Sequence, residues 1–143
     1  ASYQLEAKDI CIEVNEKHFN LNRSSIIDYI NQLSDMGIKV TLDDFGSGNS
    51  PIGFLEHLSL DSIKLNKTLI RSIGKSENND ALIESLVSMA KALGQSVAAK
   101  SIELPEQRDF LIAAGVETGQ GYFYSDPLSE NSARQFMLDQ NKK

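Results

Sequence analysis

The chain has 143 residues, 41% of them hydrophobic and 24% charged, with a formal net charge of −6 at pH 7. That length holds one domain with a real core, and the composition is that of an ordinary globular protein. The acid excess, with no Lys/Arg run beyond Lys142-Lys143, excludes a broad nucleic-acid surface, which needs a basic stripe to displace counterions.

Residues 10–14 read as a first strand. Cys11 lies within it and is the sole cysteine, so no intrachain disulfide can form. Between Ile10 and Ile12 it reads as a small buried hydrophobe. Residues 24–36 follow as a helix with Ile26, Ile27, Ile30, Leu33 and Met36 on one face and Gly37 as its stop. A strand at 39–42 comes next, then a short helix from Ser50-Pro51 through Leu58, and a strand at 62–65. Residues 72–80 are polar and read as a loop. Asp80 opens the clearest helix, with Leu82, Ile83, Leu86, Val87, Ala90 and Leu93 as its stripe and Gly94 as its end. A strand at 96–99, a helix with Pro105 in its first turn and Gly115 as its terminator, a weaker strand at 116–120 and a helix at 130–138 complete the chain. No apolar run approaches the ~18 residues of a membrane span, and the polar start is not a signal peptide. The cytosol is the expected compartment.

Alternating strands and helices predict βα units on a parallel sheet. Placed on it, Glu13, Asp43-Asp44, Lys64, Lys100 and Gln120 fall at the carboxyl ends of successive strands, where parallel α/β folds collect ligand and catalytic groups. Adjacent carboxylates repel, so Asp43-Asp44 at a strand mouth point to a hard cation such as Mg²⁺ or Mn²⁺, with positions left for phosphate. The plainer alternative is a solvated Asp-Asp-Phe-Gly turn. Asp44-Phe45-Gly46 also matches a kinase triplet, but no nucleotide loop or catalytic-loop signature accompanies it. His18 and His57 lie away from the strand ends and read as surface or packing residues. Tyr122 and Phe123 read as core or pocket lining.

At these residues the chain resembles the C-terminal part of an EAL domain, the bacterial phosphodiesterase family that linearises cyclic di-GMP. The matching blocks run from about residue 10 to 127. They are Ile12-Glu13-Val14-Asn15-Glu16, Asp43-Asp44-Phe45-Gly46-Ser47-Gly48, Leu60-Asp61-Ser62-Ile63-Lys64-Leu65-Asn66, Ser88-Met89-Ala90-Lys91-Ala92-Leu93-Gly94, Ala99-Lys100-Ser101-Ile102-Glu103, and Gln120-Gly121-Tyr122-Phe123 followed by Pro127. The resemblance implies a partial TIM-type (β/α) barrel, about the last five βα units, as a single truncated domain over 1–143. It makes Glu13, Asp43 and Asp44 metal-binding acids and gives Lys64 the attacking water. Glu103 and Gln120 become supports of that network. The turn Gly46-Ser47-Gly48 becomes a ligand-presenting loop, and Pro127 a guanine contact.

The chain departs from the family pattern. The Glu-Ala-Leu signature and the metal-binding Asn that follows it are absent from the sequence. The Ala-Glu-Gly-Val-Glu block carries Lys100 in place of a ligand glutamate, and Asn66 stands where the family has Asp. The loop has Asn49 for an aromatic and Pro51 for serine, which puts its role in coupling dimerisation to catalysis in question. An ammonium about 4 Å from a divalent ion is repelled by on the order of 8 kcal/mol at an effective dielectric near 20. Lys100 is therefore expected to replace the ion, or else to point into solvent. The expectation is a catalytically silent EAL-type domain with no metal cofactor, acting through protein contacts, self-association or cyclic di-GMP binding. It involves no nucleic-acid polymer and no membrane insertion. Two alternatives stay open: an Mg²⁺- or Mn²⁺-dependent phosphodiesterase completed by a companion segment, and a ligand-free scaffold.

Overall fold

The computed structural model describes residues 4–20, 23–48 and 52–140. Five parallel strands form one sheet in chain order: β1 (Cys11–Asn15), β2 (Lys39–Phe45), β3 (Ser62–Leu65), β4 (Ser96–Ala99) and β5 (Thr118–Gly119). The helices are α1 (Arg23–Asp35), α2 (Lys67–Ser72), α3 (Glu77–Ala92), α4 (Pro105–Ala114) and α5 (Glu130–Gln140), with short 3-10 segments at Ala7–Asp9, Glu16–Asn20 and Ile52–His57. A sheet whose strands neighbour each other in sequence order, each followed by a helical crossover, is the wall of a (β/α) barrel.

Strand alternation decides which side meets the helices. Val40, Leu42, Ile63, Leu65, Val97 and Ala99 are all buried, and they share one core with Ile30 of α1 and Ile83, Leu86, Val87 and Ala90 of α3. Ile102 and Leu111 extend that core toward α4. Pro105 occupies the first turn of α4, and Gly115 closes it in the left-handed conformation at φ 89°, as the sequence predicts.

The other face of the sheet is polar. Register places Glu13 beside Thr41, Thr41 beside Ser62, and Ser62 beside Ser96. Thr41 Oγ1 hydrogen-bonds with Ser62 Oγ and lies 3.3 Å from Cys11 Sγ. This corrects the expectation for Cys11, which is exposed. In β1 it is Val14, two residues from Ile12, that packs against the core, and Cys11 alternates away from that side.

Two further expectations are corrected. Residues 72–80 are not a continuous loop: Lys67–Ser72 forms α2, and α3 begins at Glu77. A sequence stripe does not reveal α2 because only Leu69 and Ile70 are buried in it; its start is set by the Asn66 side chain, which accepts the Thr68 backbone N–H at 2.7 Å. Strand β2 also runs three residues further than 39–42, through Asp43, Asp44 and Phe45. The segment expected from Ser50-Pro51 is seen as the 3-10 turn Ile52–His57; Asn49, Ser50, Pro51, Lys142 and Lys143 lie outside the described residues. No helix among the described residues is long and apolar enough to cross a membrane.

Candidate functional site

In a regular strand, consecutive side chains point to opposite faces. Asp43 and Asp44 escape that rule because the pairing of β2 with β3 shifts register between Leu42 and Phe45. Asp44 is also left-handed at φ 61°, a conformation uncommon for a residue with a side chain. Both carboxylates consequently reach one cation. Lys100 Nζ, just beyond β4, lies 2.7 Å and 2.9 Å from the Asp43 oxygens and 2.8 Å from Asp44 Oδ1. Asp44 is held further by Asn15 Nδ2 at 2.8 Å and Asn66 Nδ2 at 3.2 Å. Asn66 donates here, where an aspartate would repel Asp44.

Next to this cluster, Lys64 Nζ donates to Glu13 Oε1. Of the expected metal acids, Glu13 is thus paired with the expected catalytic lysine, and Asp43 and Asp44 with Lys100. Three carboxylates and two ammonium groups leave a single negative charge. Among the described residues, no three acidic, histidine or cysteine side chains come together to hold a metal ion. A divalent ion does not fit this donor set. The Asp43 and Asp44 oxygens it would need already accept from Lys100.

The Lys100 hydrogen bond holds Asp44 below the usual carboxylate range, against the opposing effect of burial. Burial acts to lower the Lys100 value, but its hydrogen bonds to Asp43 and Asp44 outweigh that and raise it. The signs define a window. The Asp44 contribution is full above about pH 4 and fades as pH falls through the lowered folded value; the Lys100 contribution is full below about pH 10 and fades as pH rises through the raised one. Wild-type stability should therefore drop at both extremes, and Lys100→Met should flatten both shoulders in denaturation curves taken across pH. An unchanged profile in that variant would contradict the pairing.

The loop Gly46-Ser47-Gly48 is anchored from a residue that sequence reasoning missed as functional. Glu16, 1% exposed, accepts the Ser47 backbone N–H at 3.0 Å and the Ser47 hydroxyl. A glutamate so fully buried is unusual unless it is bonded. Its signal in sequence was only its place in the Glu13-to-Glu16 block.

Beside the carboxylate cluster opens a pocket of about 540 Å³. Helix α2 supplies Lys67 and Arg71, and the segment after β4 supplies Lys100, Ser101 and Glu103. The turn after β5 supplies Gln120, Gly121 and Tyr122, and Ser125, Asp126 and Pro127 complete the lining. The structure thus brings Lys100, Glu103, Gln120 and Pro127 to one cavity. Glu13, Asp43, Asp44, Lys64 and the loop 46–48 do not line it. Arg71 Nη2 approaches Glu103 Oε1 at 3.5 Å. Tyr122 is exposed at the pocket, whereas Phe123 packs against the core and under the Arg108 guanidinium at 4.8 Å.

The EAL domain model matches residues 1–127. The chain is 31% identical over 126 residues to the cyclic di-GMP phosphodiesterase NbdA of Pseudomonas aeruginosa, an overlap of 88% of this chain and 16% of that protein. It is 32% identical over 119 residues to the cyclic di-GMP phosphodiesterase PdeR of Escherichia coli, covering 83% and 18% respectively. Among solved structures it is similar to the PaMucR phosphodiesterase in complex with c-di-GMP, with a TM-score of 0.84 at 25% identity over 90% of this chain and 52% of that one. It is also similar to Klebsiella pneumoniae BlrP1 with manganese and cyclic di-GMP, with a TM-score of 0.79 at 30% identity over 86% and 31%. The chain spans less than a fifth of the length of these two curated relatives.

Proposed function

The chain belongs to the EAL domain family, and on that premise we propose that it serves cyclic di-GMP signalling without hydrolysing the nucleotide, acting through nucleotide binding or protein contacts. One observation carries this reading: Lys100 Nζ sits within 2.9 Å of both Asp43 and Asp44. Hydrolysis of a phosphodiester by a metal pair needs cations to polarise the ester and make hydroxide, whereas recognition needs only a shaped, partly positive pocket.

In this reading Glu13, Asp43 and Asp44 occupy family metal positions but hold ammonium groups. Lys64, Glu103 and Gln120 occupy catalytic-support positions that are silent, and Pro127 borders the nucleotide. Glu16 keeps the 46–48 loop in place. The open edges of β1 and β5, each paired on one side only among the described residues, support association with a second copy or another protein. The compartment proposed is the cytoplasm. An Mg²⁺- or Mn²⁺-loaded phosphodiesterase is the competing reading, and it requires Lys100 to leave the carboxylates.

Calorimetric titration with cyclic di-GMP, with and without Mg²⁺, followed by analysis of the recovered nucleotide, separates the two. The expected outcome is intact nucleotide under both conditions. Mg²⁺-dependent appearance of the linear product would overturn the proposal.

A further inference from the structure

The pocket has one wall whose donors are not committed elsewhere. Lys67 and Arg71 stand four residues apart on α2, so both project from the same helix face. Lys67 has no ion-pair partner among the described residues. Arg71 has only the 3.5 Å approach to Glu103, with both groups about half exposed, a geometry of little strength in water. Ser101 lines the same cavity, and its hydroxyl has no hydrogen-bond partner among the described residues.

Ser101 is also left-handed, at φ 63°. That conformation disfavours any residue with a Cβ and is natural for glycine. Backbone strain of this kind persists where a side chain has a use. Lys100, by contrast, is occupied by Asp43 and Asp44. Glu103 and Asp126 line the same cavity, so its two carboxylates are set against three cationic side chains, Lys67, Arg71 and Lys100.

We propose that Lys67, Arg71 and the Ser101 hydroxyl form a phosphate cradle that holds a phosphate ester in this pocket without a metal ion. The proposal rests on reading the pocket as a nucleotide site and specifies how the anion is held there. Arg71 offers a planar pair of N–H donors, Lys67 a mobile charge, and Ser101 a neutral donor.

The test titrates the chain with cyclic di-GMP and, separately, with inorganic phosphate, both in EDTA, and repeats this for Arg71→Gln and Ser101→Gly. Both probes should bind the wild type. Arg71→Gln should weaken both about tenfold with an unchanged denaturation midpoint. Ser101→Gly should raise the midpoint by relieving strain yet weaken both probes about threefold, a combination that a purely structural role for Ser101 would not give. If both variants bind cyclic di-GMP and phosphate as the wild type does, the cradle is wrong and the nucleotide site stands. If phosphate binds in a variant-sensitive way and cyclic di-GMP does not bind, the cradle stands and the nucleotide reading falls. Failure of both probes to bind the wild type rejects both.

Discussion

Substituting alanine for Lys100 is expected to lower stability at neutral pH by about 3 kcal/mol, the lower end of the range for removing one member of a buried charge pair. The lower end applies because Lys100, Asp43 and Asp44 retain 18–22% side-chain exposure, which lets water relieve part of the repulsion. Removal of the ammonium leaves two adjacent carboxylates, locked on one side by the β2 register shift, with Asn15 and Asn66 still donating to Asp44. Lys100→Glu should be worse in EDTA, since it adds a third carboxylate to the same space. Mn²⁺ should then recover a large part of what it lost, because an ion that binds only the folded state stabilises it by about 2.7 kcal/mol at a hundred times its dissociation constant. The wild type should show no Mn²⁺-dependent shift in its thermal midpoint. A clear upward shift in the wild type would show that the carboxylates prefer a metal to Lys100.

The second large effect is predicted at Gly121. A Cβ there would fall on the backbone of Ile102, overlapping its carbonyl oxygen, amide nitrogen and carbonyl carbon, all inside the 3.0 Å that real Cβ atoms respect. Ile102 is itself 1% exposed and tied to this turn by hydrogen bonds from Ile102 N to Gln120 O at 3.1 Å and from Phe123 N to Ile102 O at 3.0 Å. Backbone cannot swing aside as a side-chain end can. Gly121→Ala should therefore cost more than about 3 kcal/mol, as overpacking at its severe end does, and should displace Gln120 and Tyr122 from the pocket. Urea denaturation checks the loss, and a midpoint within error of wild type would show that the turn has slack. By contrast, an added Cβ at Gly46 meets the side-chain ends of Leu69 and Leu86 rather than backbone, and it adds the penalty of a left-handed φ of 88°.

Most of the fold was legible because hydrophobic period and helix stops are local properties. The β3 and β4 limits, Pro105 and Gly115 all follow from a few neighbouring residues. Helix α2 was not legible, since a six-residue helix is defined by its cap and two buried side chains more than by a stripe. Cys11 was misjudged because an apolar run does not tell which face of a strand each residue takes. At the site, Lys100 was expected in the place of an ion, and it does reach Asp43 and Asp44. That Glu13 goes to Lys64 and Glu103 toward Arg71 instead was not legible, since it depends on strand register and side-chain reach, which a linear pattern does not encode. The role of Glu16 emerged only from its burial beneath Ser47.

The cation between Asp43 and Asp44 is carried on the chain's own side chain. A coordinated ion exchanges with its surroundings, so its occupancy follows supply, chelators and competing metals. A tethered ammonium has no dissociation constant and no vacancy to fill. On the proposed reading, this end of the sheet would assemble alike in metal-poor and metal-rich conditions below the pH at which Lys100 loses its proton, and a signal passing through it would be insulated from divalent-ion supply.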